Sequence, residues 1–138
     1  MTGYFKMKRW MGILNIVFLL AGCSSALESI EKDYAQINPA DGIDAREAVV
    51  AAQKEFLRSP YVKQYAVKSA VIIQDFFVRA YPDYWFVSFD STDFSKGFWH
   101  YLVVIQKSSG KLQFAGPYVP LEVVNYDWVF TGETMSWD

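Results

Sequence analysis

The chain has 138 residues, of which 52% are hydrophobic, 18% aromatic and 20% charged, a composition typical of one globular domain rather than of a disordered chain. Its formal net charge is 13 − 15 = −2 and becomes 10 − 15 = −5 without residues 1–22, so binding of nucleic acid or anionic lipid through charge is not expected. A single cysteine and a single histidine exclude an internal disulfide and a cysteine-based zinc site, and leave little room for histidine-centred catalysis.

The N-terminus has the order of charges expected of a secretory signal peptide. Three basic residues among the first nine are followed by an uncharged, apolar run from Trp10 to Gly22. This run is shorter than the ~20 residues that a transmembrane helix needs. We therefore predict that residues 1–22 are a cleaved signal peptide, translated from Met1 or from Met7.

The apolar run ends in Leu20-Ala21-Gly22-Cys23, which resembles the lipobox of bacterial lipoproteins. The resemblance implies cleavage between Gly22 and Cys23, and attachment of diacylglycerol and an acyl chain such as palmitate to the cysteine. Two or more such chains give a stable membrane anchor, and no other cofactor is expected. The alternative is a buried free cysteine in an ordinary apolar helix.

Ser24 follows the cysteine. In lipoproteins of this kind, a serine at that position implies the periplasmic side of the outer membrane if the organism is Gram-negative. Residues 23–42 are predicted to be the lipidated cysteine and a polar tether. Leu27, Ile30 and Tyr34 recur at helical spacing, so a helix packed on the domain is the alternative for part of this segment.

Residues 43–138 are predicted to form one domain, and its clearest helix begins at Asp44. Asp44 and Glu47 have the spacing of a capping box, and apolar residues recur at helical spacing as far as Phe56. Ser59-Pro60 is expected to end this helix, because the residue before a proline disfavours helical geometry.

Strands and turns are predicted for the remainder of the domain. The predicted extended segments are Val71–Val78 (with a second helix as the alternative), Tyr84–Phe89, a central strand Phe98–Gln106, and Lys111–Ala115 after a hairpin turn at Lys107–Gly110. Gly116-Pro117 is expected to end strand pairing. The tail Leu121–Asp138 is expected to pack its aromatic residues on the domain, through Tyr126, Trp128 and Phe130.

These elements predict an α+β fold, with one main N-terminal helix packed on a three- to four-stranded antiparallel sheet. The strand Trp85-Phe86-Val87-Ser88-Phe89 and the hairpin Tyr101-Leu102-Val103-Val104-Ile105 with Lys107-Ser108-Ser109-Gly110-Lys111 resemble small cystatin-like and NTF2-like domains over residues 44–117. Some of those domains are immunity proteins against secreted toxins, and others are bacterial lipoproteins. The resemblance concerns the fold and transfers no functional residue.

An aromatic binding surface is one candidate site. Strand alternation places Trp99 and Tyr101 on one sheet face and His100 and Leu102 on the other. Because the helix covers only one face, the other is either a surface for a partner or apolar ligand, or is covered by the C-terminal tail. The candidate residues for this surface are Tyr84, Trp85, Trp99, Tyr101 and Trp128.

His100 is a second candidate, as a catalytic base with Ser88 and Asp90 on the neighbouring strand. The alternative is a structural histidine that is hydrogen-bonded on the sheet, and no catalytic residue is predicted. No metal site is predicted either, because Asp90-x-x-Asp93 lacks the ligands of a calcium loop.

The sequence therefore predicts a membrane-anchored, non-enzymatic binding module of the cell envelope, whose partner is another envelope protein or a toxin and not a nucleic acid. Its sharper form is an immunity or inhibitor protein that blocks a secreted toxin or hydrolase. The alternatives are a carrier of a small apolar ligand and a hydrolase that uses His100.

Overall fold

A computed structural model describes residues 26–92 and 98–133. Its elements are the helix α1 over residues 26–35, the helix α2 (Ala45–Leu57), the strands β1 (Val71–Ile72), β2 (Tyr84–Phe89), β3 (His100–Gln106) and β4 (Leu112–Tyr118), and the short helix α3 (Trp128–Thr131). Single turns of 3-10 helix occupy Pro39–Asp41, Val67–Ser69, Phe77–Ala80 and Pro120–Glu122. The strands form one antiparallel sheet in the order β1-β2-β3-β4, which confirms the predicted α+β class.

The main helix α2 begins with the predicted capping box. The Glu47 backbone N–H donates to Asp44 Oδ1 over 2.8 Å, and the Asp44 backbone N–H donates to Glu47 Oε1 over 3.3 Å. These bonds satisfy amide groups that a helix N-terminus otherwise leaves without a partner. The buried side chains of α2 include Ala48, Ala52 and Phe56, which face the sheet.

The strand β4 is longer than predicted, because pairing continues through Gly116 and Pro117. Gly116 lies opposite Leu102, and Pro117 lies opposite Tyr101. The prediction that these residues end the pairing was wrong. Since β4 is an edge strand, a residue without a backbone N–H is tolerated on its unpaired side.

The strand β1 is shorter than predicted and covers only Val71–Ile72. The Asp75 side chain accepts a hydrogen bond from the Val78 backbone N–H over 3.0 Å, and Phe77–Ala80 then form a turn of 3-10 helix. The predicted strand over Val71–Val78 is therefore wrong beyond its first two residues. An aspartate that bonds its own following backbone competes with strand pairing.

Both faces of the sheet are covered. One face packs on α2 through a cluster that includes Phe56, Phe89 and Tyr101. The opposite face packs on the C-terminal segment, through Tyr126 and Val129 among others. The tail therefore covers the face that the sequence left open as an aromatic surface, and the predicted packing of Tyr126, Trp128 and Phe130 is confirmed.

Part of the predicted tether is helical, since α1 occupies residues 26–35. Ile30 is half-buried, and the other residues of α1 are exposed. Lys54 of α2 places its Nζ 3.8 Å from the centre of the Tyr34 ring, and Ile37 packs against the core beneath α2. The helical alternative is thus the one observed. Within the described residues, none of the helices has the length and apolarity needed to cross a bilayer.

Candidate functional site

The five residues of the predicted aromatic surface do not form one surface. Tyr101 is 3% exposed and contacts Phe56 at a ring-centroid distance of 5.3 Å. It is a core residue, so its assignment to an exposed surface is corrected. Trp85 and Trp99 are half-buried on the α2 side of the sheet, whereas Trp128 is half-buried on the side of the C-terminal segment.

Trp85 and Tyr84 lie at the end of the sheet where β2 begins. The Trp85 indole N–H donates to the Ile43 carbonyl over 2.6 Å, and the Nζ of Lys107 lies 4.1 Å from its ring centre. The Tyr84 ring meets Phe130 edge-on at 4.8 Å. Trp85 thus contacts both Ile43, just before α2, and Lys107, in the turn between β3 and β4. It holds these two segments together and does not form an open binding face.

An open cleft of about 840 Å³ lies at this same end of the sheet. It is lined by four carboxylates, with Tyr84 and Lys107 beside them, and we call it the acidic cleft; the carboxylates belong to Asp41, Asp44, Glu47 and Asp83. Lys107 is the one cation among the lining residues. A concave surface with this charge favours a cationic partner.

Backbone hydrogen bonds hold the walls of the acidic cleft together. The Ile43 N–H donates to the Lys107 carbonyl over 2.7 Å, and the Lys107 N–H donates to the Asp83 carbonyl over 2.8 Å. Asp41 accepts a hydrogen bond from the Asn38 side-chain amide over 3.1 Å. Three segments that are distant in the sequence therefore meet in a fixed arrangement.

The carboxylates of the acidic cleft were not identified from the sequence as one site. Asp83 directly follows Pro82, and Asp41 comes two residues after Pro39; both lie in turns, where aspartate is common for local reasons. Asp44 and Glu47 were assigned to the capping box alone. Their common location follows from the docking of residue 43 on the hairpin, which no local pattern encodes.

The structure does bring Ser88, Asp90 and His100 together, with Tyr118 as a fourth member that the sequence did not indicate; we call these four residues the His100 network. His100 Nδ1 lies 3.5 Å from Ser88 Oγ and 3.4 Å from Asp90 Oδ1. The Tyr118 hydroxyl donates to Ser88 Oγ over 2.8 Å.

The His100 network does not have the geometry of a catalytic triad. A triad uses one ring nitrogen of histidine for the nucleophile and the other for the orienting carboxylate. Here Ser88 and Asp90 both face Nδ1. Ser88 is also 5% exposed. The arrangement supplies hydrogen-bond partners to a buried hydroxyl, which supports the structural interpretation of His100.

Tyr118 makes the His100 network sensitive to alkali. Burial, together with the carboxylates of Asp75 and Asp90, raises the pKa of Tyr118 from 10.0 to about 12. Since the folded protein favours the neutral phenol, this stabilisation is present below about pH 10 and is lost as the pH rises through about 12.

We therefore expect the free energy of unfolding to fall between about pH 10 and 12, by about 3 kcal/mol from Tyr118 alone. Urea unfolding curves recorded across this range measure the effect. Tyr118→Phe cannot ionise at this position, so it should show a shallower loss of stability. An equal pH dependence in the wild type and in Tyr118→Phe would contradict the assignment.

An apolar groove of about 330 Å³ lies at the opposite end of the sheet from the acidic cleft. It is lined by Phe98, Trp99, Val119, Leu121 and Glu122. Phe98 is 69% exposed and Leu121 is 84% exposed. Exposed apolar side chains that are grouped in this way are typical of contact surfaces.

The predicted lipidation and cleavage residues, Cys23 and Gly22, lie outside the described residues, as does Asp93. Among residues 26–92 and 98–133, no group of three or more His, Cys, Asp or Glu side chains is placed to hold a metal ion.

Comparisons of the chain with protein-family models, with curated proteins and with solved structures return no match. The resemblances to bacterial lipoproteins and to cystatin-like and NTF2-like domains therefore rest on the quoted residues alone and stay predictions.

Proposed function

We propose that the chain is a lipid-anchored, non-enzymatic binding module of the cell envelope, and that its acidic cleft binds a basic surface of another protein. The class of partner that fits this chemistry is a secreted toxin or hydrolase with a basic active-site cleft. On this proposal, the protein acts as an immunity or inhibitor protein.

The observation that supports this proposal is the acidic cleft itself. It is concave, it carries four carboxylates against one lysine, and Tyr84 lines it beside Asp83. Tyrosine supplies contact area with little loss of conformational freedom, and carboxylates give orientation and a fast association rate. The net charge of −5 without residues 1–22 acts in the same direction.

No observation favours the carrier of an apolar ligand. Such a carrier needs room between the helix and the sheet, where the rings of Phe56 and Phe89 stack with centroids 4.7 Å apart. On the other face, Phe86 and Tyr126 are also in contact, at 4.7 Å. Side chains fill both of the spaces that a ligand would occupy.

The anchor is tested with Cys23→Ser in the full chain. We expect the wild type to be found in the membrane fraction and to incorporate labelled palmitate, because the thiol carries the lipid. Cys23→Ser should take up no label. A wild type that takes up no label, or a variant that takes up as much label as the wild type, would show that no lipid is attached at Cys23.

The binding surface is tested by reversing charge in the acidic cleft. Asp41→Lys with Asp83→Lys should weaken binding of a basic envelope protein at least about tenfold, because like charges then face each other. Glu31→Lys with Glu133→Lys changes the net charge equally at exposed positions outside the cleft, and serves as the matched control. Pull-down from envelope extracts, followed by titration with the recovered protein, measures the difference. Equal affinities for the two double variants would exclude the cleft.

A further inference from the structure

We propose that a second pocket, which adjoins the acidic cleft, binds an arginine side chain of the basic partner. The inference rests on the proposed function and adds to it the kind of cation that this surface selects. The pocket has a volume of about 500 Å³, and we call it the tyrosine pocket. Three aromatic rings and two carboxylates line it, and they belong to Tyr81, Tyr84, Phe130, Asp83 and Asp127.

The tyrosine pocket and the acidic cleft share one wall. Asp83 and Tyr84 line both of them, and these two residues lie where the chain enters β2. The Lys107 N–H donates to the Asp83 carbonyl over 2.8 Å, so the backbone of this wall is held to the turn between β3 and β4. A basic surface that enters the acidic cleft therefore also meets the tyrosine pocket.

The three rings of the tyrosine pocket contact one another. Tyr81 and Phe130 stack with their centroids 4.9 Å apart and their planes 25° apart. The Tyr84 ring meets Phe130 at 4.8 Å and 72°. Because Tyr81 and Phe130 are in direct contact, they cannot form the opposite walls of a cage around a compact ammonium group. A flat group, in contrast, can lie against the cluster as one more layer.

The two carboxylates of the tyrosine pocket belong to exposed residues. Asp127 directly precedes α3, but its side chain does not cap that helix and instead accepts a hydrogen bond from the Tyr81 hydroxyl. An ionised carboxylate accepts several hydrogen bonds, so Asp127 can bind a further donor. None of the described residues that line the tyrosine pocket is basic. A cation that neutralises these carboxylates therefore comes from the partner.

Rings and carboxylates in one pocket suit the guanidinium group of arginine better than the ammonium group of lysine. A guanidinium is planar and weakly hydrated, and it stacks on aromatic rings while its N–H groups bind a carboxylate in pairs. An ammonium is compact and strongly hydrated, so it loses more when it leaves water to lie against rings.

The two parts of the surface therefore have different selectivity. The acidic cleft attracts lysine and arginine alike through the charge of its carboxylates. The tyrosine pocket distinguishes between them, because it combines charge with rings. A partner whose basic surface contains arginine next to the residues that enter the cleft fits both parts.

The test compares two fluorescein-labelled peptides that differ only in their cations. One contains several arginines separated by glycines, and the other has lysines at the same positions. Fluorescence anisotropy at low ionic strength measures their dissociation constants for the full-length protein in detergent micelles. We expect the arginine peptide to bind about fivefold more tightly than the lysine peptide, because only its cations both stack on rings and pair with carboxylates.

Two variants locate this preference in the tyrosine pocket. Asp127→Asn removes one charge and keeps an oxygen that accepts the Tyr81 hydroxyl bond. Phe130→Leu removes a ring and keeps an apolar side chain, and urea unfolding verifies that it is folded. In each variant the preference should fall to about twofold. Asp41→Asn is the matched control, because it makes the same chemical change in the acidic cleft, outside the tyrosine pocket. It should weaken binding of both peptides equally and keep the preference.

The outcomes separate this inference from the proposed function. Equal affinities of the two peptides for the wild type would overturn the arginine pocket and leave the acidic cleft as the binding site for a basic partner. Binding of neither peptide would overturn both. A preference for arginine that survives unchanged in Asp127→Asn and in Phe130→Leu would show that another part of the protein selects arginine, and would overturn the assignment to the tyrosine pocket.

Discussion

Phe56→Ala is expected to lower the free energy of unfolding by about 3–5 kcal/mol, a range typical of large-to-small changes at buried aromatic residues. Phe56 is 0% exposed, its ring stacks on Phe89 at 4.7 Å, and it meets Tyr101 edge-on at 5.3 Å. Alanine removes the buried ring and leaves a cavity between α2 and the sheet. Urea unfolding, followed by circular dichroism, measures the loss.

Phe76→Ala is the matched control, because Phe76 is 75% exposed. Removal of this ring should change stability by no more than about 0.5 kcal/mol. Similar losses for the two variants, or a loss below about 1 kcal/mol for Phe56→Ala, would mean that Phe56 does not join α2 to the sheet as described.

Tyr126→Ala is expected to have an effect of the same size, about 3–5 kcal/mol, on the other side of the sheet. Tyr126 is 1% exposed, lies 4.7 Å from the Phe86 ring, and donates its hydroxyl to Asp75 Oδ2 over 3.2 Å. Its loss should uncover the sheet face that the C-terminal segment covers, with increased binding of an apolar dye as a second readout.

Tyr126→Phe separates the ring from the hydroxyl. It keeps the packing on Phe86 and removes only the hydrogen bond to Asp75, so we expect a loss of about 1 kcal/mol. If alanine were as mild as phenylalanine at this position, the C-terminal segment would not be an integral part of the core.

The elements that sequence patterns predicted correctly are those with strong local signals. The helix α2 begins at a capping box, and β2 and β3 are continuous apolar runs, so their positions do not depend on distant partners. The length of β1 and the continuation of β4 through Pro117 were missed. The continuation of β4 depends on which side of the strand is paired, which the sequence alone does not specify. The strand β1 ends early where the Asp75 side chain accepts a hydrogen bond from the Val78 backbone N–H.

The candidate sites also include some features that the sequence predicted and others that it did not. The proximity of Ser88, Asp90 and His100 was predicted from their positions on neighbouring strands. The hydroxyl of Tyr118, and the fact that two partners face one nitrogen of His100, required the register and the rotamers. The acidic cleft was missed because its walls come from three separate segments.

The two outer strands of the sheet have a consequence for solubility. Unpaired strand edges are templates on which further chains can add, which is a route to aggregation. Here β1 offers only two residues, and β4 carries Pro117 near its end. Both edges are therefore poor templates for intermolecular strand pairing.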